Sequence, residues 1–409
     1  MCSHVIHLII ARYLLSLHAL LIVALSFLLL SHTAPALAAD SPIFAYMTNY
    51  GGRTVSMLQV DPADGRVLPL GNAPAGAGSV SITLHPNRKF AYVVNAGDQN
   101  IWTYTLSPTG KLTPQPTAAG LAFPTGGFAL HHSGQLAYAT SSAFLAPGGG
   151  PGTSSYHTVS TYSVNLQSGT LTKASEISTP GWSVAPSFVV VHPFLNVLYM
   201  ADDLSDGTIS IYPLDANGHP QFAKWVRTGG QNPRMLMIDP TGRVLYAVNE
   251  GGAAGSIVTQ FDITATGDLM PHNPPTVGAG LLPVAIAITP NGRFAYVANY
   301  RTTETATKGI SMFTVSANGS LTPAGTMGTG PQTESLAVDP AGRWLLAASY
   351  SSDTASVYRI GPDGQLTWTE TVGKIGDRPT WIAITSVPYT HGGQLCINLF
   401  HSPCEGPEA

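Results

Sequence analysis

One motif recurs seven times along the chain and constrains its fold more than any other feature. The two clearest copies, residues 288–299 and 238–249, read Ile-Thr-Pro-Asn-Gly-Arg-Phe-Ala-Tyr-Val-Ala-Asn and Ile-Asp-Pro-Thr-Gly-Arg-Val-Leu-Tyr-Ala-Val-Asn. A tyrosine anchors six copies and a leucine anchors the last: Tyr46, Tyr92, Tyr138, Tyr199, Tyr246, Tyr296 and Leu346. A period of about 50 residues is typical of a β-propeller blade rather than of a helical repeat.

Each copy of the motif predicts four short strands. A Pro-x-Gly turn joins an apolar run such as 284–288 to an alternating run such as 294–297, which is the chemistry of a β-hairpin. A second alternating run follows at 309–315, and the Gly-x-Leu-Thr motif of 110–113 and 364–367 opens the last strand. We therefore predict an all-β protein, a seven-bladed β-propeller with four strands in each blade.

The two ends of the repeat region predict how the ring closes. The first copy begins at its second strand, residues 43–48, with no innermost strand before it. An unpartnered strand of the innermost type stands at the other end, at 379–384. Pairing these strands completes one shared blade and removes exposed sheet edges, which favour aggregation. We place the propeller at residues 40–387 and a C-terminal tail at 388–409.

Residues 1–39 have the composition of an export signal. An apolar run at 19–30 follows Arg12, and a stretch of small residues occupies 36–39. This pattern predicts a signal peptide that is cleaved near Ala38 or Ala39, and hence a secreted or periplasmic protein. The competing interpretation is an uncleaved membrane anchor, because the apolar character begins near Val5.

Charge and composition narrow the range of partners. Only 10% of the residues are charged, the net charge is −4, and no run of Lys or Arg exceeds two residues. The chain therefore lacks the basic pattern that binds nucleic acid or anionic lipid. The 43 Gly and 32 Pro residues favour short strands joined by tight turns. We expect a monomer that binds a small molecule, or else a glycan or protein partner.

The residues that often hold metals are scattered in the sequence. Asp202, Asp203 and Asp206 share one loop and fit either a calcium site or a solvated turn, since their spacing is not that of an EF-hand. Cys396 and Cys404 fit a tail disulfide or two free thiols. The sequence also has no serine-hydrolase elbow, zinc-protease helix or phosphate-binding loop motif. We expect no metal and no cofactor.

Four histidines occupy the Pro-x-Gly turns, at the end of the inner strand away from the mouth. Other copies have Asp or Thr at the first position of this turn. Short polar side chains at that position accept hydrogen bonds from the turn backbone. We therefore predict turn-capping roles for these residues: His85, His131, His132 and His192.

The repeat resembles the Tyr-Val-Thr-Asn type of propeller. Residues 43–386 resemble the lactonase family that includes bacterial 6-phosphogluconolactonases and the fungal carboxy-muconate cyclase. One blade of that family reads Gly-Pro-Arg-His at the start of an innermost strand, and the next strand ends in Asn-Glu. The matching stretches here are 232–235 and 246–250, with Arg234 and Glu250 at the family's Arg and Glu positions. The resemblance implies hydrolysis of a cyclic ester with Arg234 and Glu250 as catalytic residues.

The sequence departs from the family pattern at three places. The family histidine after the arginine is Met235, and a Pro-His-x-His stretch of the preceding blade is Ala-Pro-Ser-Phe at 185–188. A family arginine is displaced by one position, to Arg301. A second hypothesis therefore stays open, a non-catalytic propeller that binds a ligand, glycan or protein through its mouth and the long loops 141–158 and 300–308.

Blade geometry brings Arg234 and Glu250 to the same face of the ring. The innermost strand runs from the central mouth to the Pro-x-Gly turn, and the second strand returns to the mouth. The end of the second strand therefore lies beside the start of the innermost strand. Aligned on the turn, the positions around the channel are Val80, Gly126, Ser187, Arg234, Val284, Glu334 and Thr380. We call these seven residues the mouth ring. Its only charges are Arg234 and Glu334.

Each candidate has two possible roles. For Arg234 they are a donor to the lactone oxygen and an ion pair that braces neighbouring blades. For Glu250 they are a general base for the attacking water and a carboxylate that caps the turn or pairs with Arg234. Arg301, Glu334 and Ser187 are candidate substrate-binding residues, and an exposed ion pair is the competing role for Arg301 and Glu334.

Overall fold

The computed structural model describes residues 41–142, 157–179, 186–202, 207–251, 256–300 and 309–386, with two further pairs at 390–391 and 394–395. Several sequence predictions fall on residues outside these ranges. They concern the signal peptide at 1–39, most of the two long loops, and the side chains of Asp203, Asp206, Arg301, Cys396 and Cys404.

The strands follow one another in blade order. Three strands begin blade 1: β1 (Ile43–Asn49), β2 (Thr54–Val60) and β3 (Val67–Pro74). Blade 2 contains β4 (Ser79–Leu84), β5 (Phe90–Asn95), β6 (Asn100–Leu106) and β7 (Leu112–Gly120). Blade 3 contains β8 (Pro124–Leu130), β9 (Leu136–Ser141), β10 (Thr158–Val164) and β11 (Leu171–Ser178). Blade 4 contains β12 (Pro186–Val191), β13 (Val197–Asp202), β14 (Thr208–Pro213) and β15 (Lys224–Arg227).

The remaining blades have the same composition. Blade 5 contains β16 (Gln231–Ile238), β17 (Val244–Gly251), β18 (Ile257–Ile263) and β19 (Leu269–Gly278). Blade 6 contains β20 (Pro283–Ile288), β21 (Phe294–Asn299), β22 (Ile310–Val315) and β23 (Leu321–Met327). Blade 7 contains β24 (Thr333–Val338), β25 (Trp344–Ser349), β26 (Thr354–Ile360) and β27 (Leu366–Gly373). Then follow β28 (Pro379–Ser386) and a short pair, β29 (Thr390–His391) with β30 (Gln394–Leu395).

The sheet topology confirms the predicted all-β, seven-bladed propeller. Seven sheets have four antiparallel strands each, and the described residues contain no helix. The described part of the chain thus offers no helix long and apolar enough to span a membrane. Strand β28 pairs with β1 from Ile43 opposite Ser386 to Asn49 opposite Pro379. The first blade is therefore built from both ends of the repeat region.

The core lies between the blades. The second strands, such as β5 and β21, are buried along their whole length because neighbouring blades cover both faces. Up to the final asparagine, their sequences are accordingly continuous apolar runs that include small alanines, as expected for strands buried on both sides. The outermost strands, such as β7, have mostly exposed or half-buried residues. Burial thus falls from the inner strands of each blade toward its outer edge.

The motif tyrosine joins each blade to the next one. Its phenol donates a hydrogen bond of 2.6 to 3.0 Å to the carbonyl of a turn glycine in the following blade. The pairs are Tyr46–Gly110, Tyr92–Gly169, Tyr138–Gly218, Tyr199–Gly267, Tyr246–Gly319 and Tyr296–Gly364. We call them the tyrosine latches. The latch glycines have φ between 76° and 92°, in the left-handed region that favours glycine.

The junction of blade 7 with blade 1 uses a different contact. Leu346 stands at the latch position there and has no hydroxyl group to donate. Instead, the indole N–H of Trp344 donates to the carbonyl of Pro62, at 3.2 Å, and its ring covers Gly65. Gly65 is the blade 1 counterpart of the latch glycines. The closing junction is therefore joined by a tryptophan rather than by a tyrosine.

Three of the four turn histidines cap their turns. His85 and His192 accept backbone N–H groups at Nδ1, at 3.1 and 3.0 Å, and bind a glycine carbonyl of the next blade through Nε2. His131 accepts the N–H of Ser133 at 3.2 Å. His132 does not cap the turn: its side chain is exposed, and its ring lies against that of His131, with the ring centroids 3.9 Å apart.

The latches predict a defined loss of stability. In Tyr246→Phe the carbonyl of Gly319 loses its buried donor, so the free energy of unfolding should fall by about 1 to 3 kcal/mol. A lower denaturant midpoint at an unchanged slope would measure this loss. Tyr50→Phe, which alters an exposed ring, should cost less than about 0.5 kcal/mol. Equal losses in both variants would contradict the latch role.

Candidate active site

The inner strands enter the mouth through one recurring backbone conformation. In five blades the residue two positions before the mouth ring, and in blade 3 the residue three positions before it, has a φ of 46° to 61°. These residues are Gly78, Phe123, Asn232, Leu282, Gln332 and Arg378. Five of them are not glycine, and such conformations are costly unless the surrounding structure enforces them. Because the conformation recurs in six blades, it belongs to the fold and positions their mouth residues in a similar way.

A β-bulge then turns each mouth-ring residue out of the ladder. In six blades the pairing with the second strand skips one residue, and in blade 3 it skips residues 125–127. The residues skipped singly are Val80, Ser187, Arg234, Val284, Glu334 and Thr380. Bulged residues are left unpaired, and the local bend re-aims their side chains. All seven members of the mouth ring, Gly126 included, line one cavity of about 250 Å³.

Two aromatic rings from distant blades meet within this cavity. Phe188 of blade 4 and Trp381 of blade 1 stack with their centroids 5.6 Å apart and their planes at 29°. Both rings line the cavity, and each directly follows a mouth-ring residue. We call this pair the aromatic floor. It brings opposite sides of the ring into contact beneath the mouth, so the site has the concave, largely apolar form of a small-molecule pocket.

Two hydroxyls of the mouth ring bind backbone carbonyls. Ser187 donates to Pro233 O at 2.8 Å and lies 3.3 Å from Ala201 O. Thr380 Oγ1 lies 3.1 Å from Ser79 O of the next blade. The structure therefore places the predicted substrate-binding residue Ser187 on the cavity wall, with its hydroxyl engaged in joining blades 4 and 5.

Arg234 and Glu250 converge at the mouth, as blade geometry predicts. Arg234 Nε lies 3.6 Å from Glu250 Oε2, and the side chains are 42% and 25% exposed. Both positions are fixed by the pairing of Pro233 with Asn249, which is fully buried near the end of β17. The Asn249 amide donates to Thr259 Oγ1 at 3.0 Å and holds the strand end in place. The guanidinium and the carboxylate thus stand beside one pocket, accessible from solvent.

Glu334 is the third charged group of this site. The pKa of its carboxyl is raised to about 7, chiefly by burial; the positive charge of Arg234 opposes this shift and the negative charge of Glu250 adds to it. A carboxyl group that changes charge near neutral pH inside a cleft is a common property of functional sites. The predicted substrate-binding residue Glu334 therefore lies with Arg234 and Glu250, whereas Arg301 is outside the described residues.

Two tyrosines of the site were missed from the sequence. Burial raises the pKa of Tyr300, and the negative charges of Glu334 and Glu250 and the phenol of Tyr350 raise it further. Tyr300 and Tyr350 each follow a fully buried polar residue, Asn299 and Ser349, as Glu250 follows Asn249. Aligning the copies of the motif on this buried polar residue identifies the position after it as a second set of mouth residues.

Of the three aspartates that fit either a calcium site or a solvated turn, the structure describes only Asp202. The carboxylate of Asp202 is fully buried and accepts hydrogen bonds from Thr208 and Ser210, at 3.2 and 2.8 Å. It is therefore the blade 4 counterpart of Asn249, a strand-end residue. Among the residues that the structure describes, no three His, Cys, Asp or Glu side chains are grouped so that they could hold a metal ion.

The raised pKa of Glu334 predicts a pH-dependent effect on stability. Between pH 4.5, its usual pKa, and about 7, the folded chain keeps a proton that the unfolded chain releases, so stability falls as pH rises. Glu334→Gln cannot ionise, and its melting temperature should exceed that of the parent at about pH 8 but not at about pH 4.5.

Glu370→Gln is the matched control for this test. Its carboxylate lies on an outer strand and accepts the N–H of Val67 at 2.9 Å, and the amide oxygen of glutamine can do the same. This variant should not show the gain at high pH. A Glu334→Gln variant that gained nothing at pH 8 would contradict the raised pKa of the Glu334 carboxyl.

The chain is similar to known proteins over most of its length. The family model described as Lactonase, 7-bladed beta-propeller matches residues 84–280 and 255–384. The 6-phosphogluconolactonases of Yersinia enterocolitica and Yersinia pestis are 26% and 25% identical, over 81% of this chain and 91% of theirs. A solved periplasmic gluconolactonase of Pseudomonas aeruginosa has a TM-score of 0.68 at 22% identity, covering 85% of this chain and all of its own, which shows a shared fold. The protein thus belongs to the lactonase family of seven-bladed β-propellers.

Proposed function

We propose that this protein is an exported lactonase that hydrolyses a small cyclic ester at its central mouth. The convergence of Arg234 and Glu250 beside one cavity is the observation that carries the proposal. Their separation of 3.6 Å brings a donor of fixed geometry and a carboxylate to the same bound molecule. Lactonase activity in the named relatives supports this reaction class.

The chemistry follows from the two side chains. Glu250 takes a proton from a water molecule, whose oxygen attacks the ring carbonyl carbon. The carbonyl oxygen gains negative charge, which the guanidinium of Arg234 stabilises. The carbonyl then re-forms as the ring C–O bond breaks, and the proton held by Glu250 passes to the leaving ring oxygen. Water is consumed and one hydroxy acid is formed.

The rest of the cavity positions the substrate. The aromatic floor of Phe188 and Trp381 offers flat apolar surface to one face of a small ring. Glu334 faces the same space and is positioned to bind a substrate hydroxyl. Ser187 lines the same cavity, and Arg301 stays a candidate substrate-binding residue on the evidence of the sequence alone.

The histidine of the family pattern has no counterpart at Met235. This side chain is 7% exposed and belongs to the core between blades 5, 6 and 7, with its sulfur 3.3 Å from Ile286 N. In the proposed reaction the acid–base role therefore belongs to Glu250. The same substitution favours the alternative function, a non-catalytic propeller that binds a small ligand, glycan or protein at the mouth.

Hydrolysis of lactones tests the proposal directly. We expect proton release by residues 40–409 against a panel of five- and six-membered lactones near neutral pH, above a matched blank. Glu250→Gln and Arg234→Ala should each lower kcat/KM by about a hundredfold or more, since each removes a group that acts in the transition state.

An exposed ion pair away from the mouth supplies the control. Arg66 and Asp64 lie 2.7 Å apart in the turn between β2 and β3, and Arg66→Ala and Asp64→Asn should keep full activity. Turnover that is indifferent to changes at Arg234 and Glu250 would remove these residues from the mechanism. No turnover of any lactone would favour the binding propeller.

Export is the second part of the proposal. Cleavage after Ala38 or Ala39 would leave β1, which begins at Ile43, intact. When the full chain is expressed in a bacterial host, mass spectrometry should find a mature protein that starts at residue 39 or 40 in the periplasm or medium. An intact N-terminus in the membrane fraction would instead indicate an uncleaved anchor.

A further inference from the structure

The described residues at the cavity carry more negative than positive charge when their carboxyls are ionised. Among the described residues that line it, Arg234 is the single cation and Glu334 the single anion. Glu250 adds a second carboxylate 3.6 Å from the same guanidinium. With both carboxyls ionised, one positive charge faces two negative charges.

Two described arginines of the loops at the mouth face have acidic partners of their own. Arg378 lies over the ring of Tyr50, 5.6 Å from its centroid, and its Nε is 3.4 Å from Asp377. Arg53, on the β1–β2 connection, pairs with Asp98 at 3.2 Å. Neither of these arginines lines the cavity. Within the described part of the mouth, no cluster of cationic side chains faces the cavity.

The neutral part of the lining also lacks a site for an anion. Its described residues are Val80, Val284, Gly126, the aromatic floor, the ring of Tyr50, and four Ser and Thr side chains. The hydroxyl of Ser187, for example, already binds a backbone carbonyl. Recognition of phosphate usually needs several N–H donors or more than one cationic side chain. An uncharged ring, by contrast, fits between apolar walls and an aromatic surface.

We propose that the substrate of this site is an uncharged lactone, and that Glu334 is the specificity-determining residue that excludes lactones bearing a phosphate or carboxylate group. This inference rests on the proposed lactonase function and names its substrate class. This substrate differs from the phosphorylated lactone that the name of the Yersinia relatives, 6-phosphogluconolactonase, indicates. A like charge placed against the ligand is an effective means of rejecting the wrong one.

The charge of Glu334 also makes the discrimination depend on pH. Arg234 and Glu250 of blade 5, Tyr300 of blade 6 and Tyr350 of blade 7 form the charged and titratable cluster with Glu334. Since the pKa of the Glu334 carboxyl is about 7, the cavity gains a full negative charge as pH rises through neutrality. Rejection of an anionic lactone should therefore strengthen in the same range.

The test compares glucono-δ-lactone with its 6-phosphate at about pH 6 and pH 8. We expect kcat/KM to favour the uncharged lactone by roughly tenfold or more, with a larger ratio at pH 8. Equal values, or a preference for the phosphate, would overturn the proposal.

Binding of unreactive analogues separates this proposal from the proposed function. Calorimetry with glucono-δ-lactam and its 6-phosphate measures selectivity without turnover. Selective binding of the uncharged lactam by a protein that hydrolyses no lactone would keep the specificity proposal and refute catalysis. Binding of the phosphate as tightly as the uncharged lactam, or of neither, would overturn the specificity proposal.

Substitutions at Glu334 assign the selectivity to its charge. Glu334→Gln should lower the ratio of uncharged to phosphorylated substrate or ligand by about tenfold, and Glu334→Arg should lower it further. The ratio cancels any uniform loss of activity. Val80→Gln introduces the same amide elsewhere in the mouth ring and should leave the ratio unchanged. A ratio that neither Glu334 variant moves would refute the role of this residue.

Discussion

The hydrogen bond from a tyrosine to the turn carbonyl of the next blade is the contact on which the ring depends. A four-stranded sheet cannot bury both of its faces alone, so each blade is stable only when it is fixed against its neighbours. The latch sets the position of the second strand relative to the following blade. The inner strands, and with them the mouth ring, inherit their positions from this repeated alignment.

Much of this architecture could be predicted because its signals are local and repeated. The motif tyrosines and the Gly-x-Leu-Thr glycines mark both partners of the latch, and the Pro-x-Gly turns set the register of each hairpin. Equivalent positions in seven copies then identify the residues of the mouth. Their exact backbone conformation, a bulge after a left-handed residue, carries no comparable sequence signal, since residues as different as Phe123 and Arg378 adopt it.

Features that join distant blades could not be predicted in this way. Phe188 and Trp381 meet across the channel although nearly two hundred residues separate them in the chain. No local sequence pattern predicts that contact. The engagement of the Ser187 hydroxyl by Pro233 and the raised pKa of Glu334 are likewise properties of the assembled cavity. The sequence identified these residues as candidates, and the three-dimensional environment determines what each can do.

The closing junction differs chemically from the six junctions that the tyrosine latches make. Those six join blades that follow each other in the chain, whereas Trp344 must find a turn near Pro62, at the other end of the propeller. A tyrosine there would fit any of the equivalent glycine turns, including those of a second molecule. A tryptophan matched to the turn near Pro62 makes the closing junction specific for that one turn. It thereby disfavours rings with the wrong number of blades and blades exchanged between two chains during assembly.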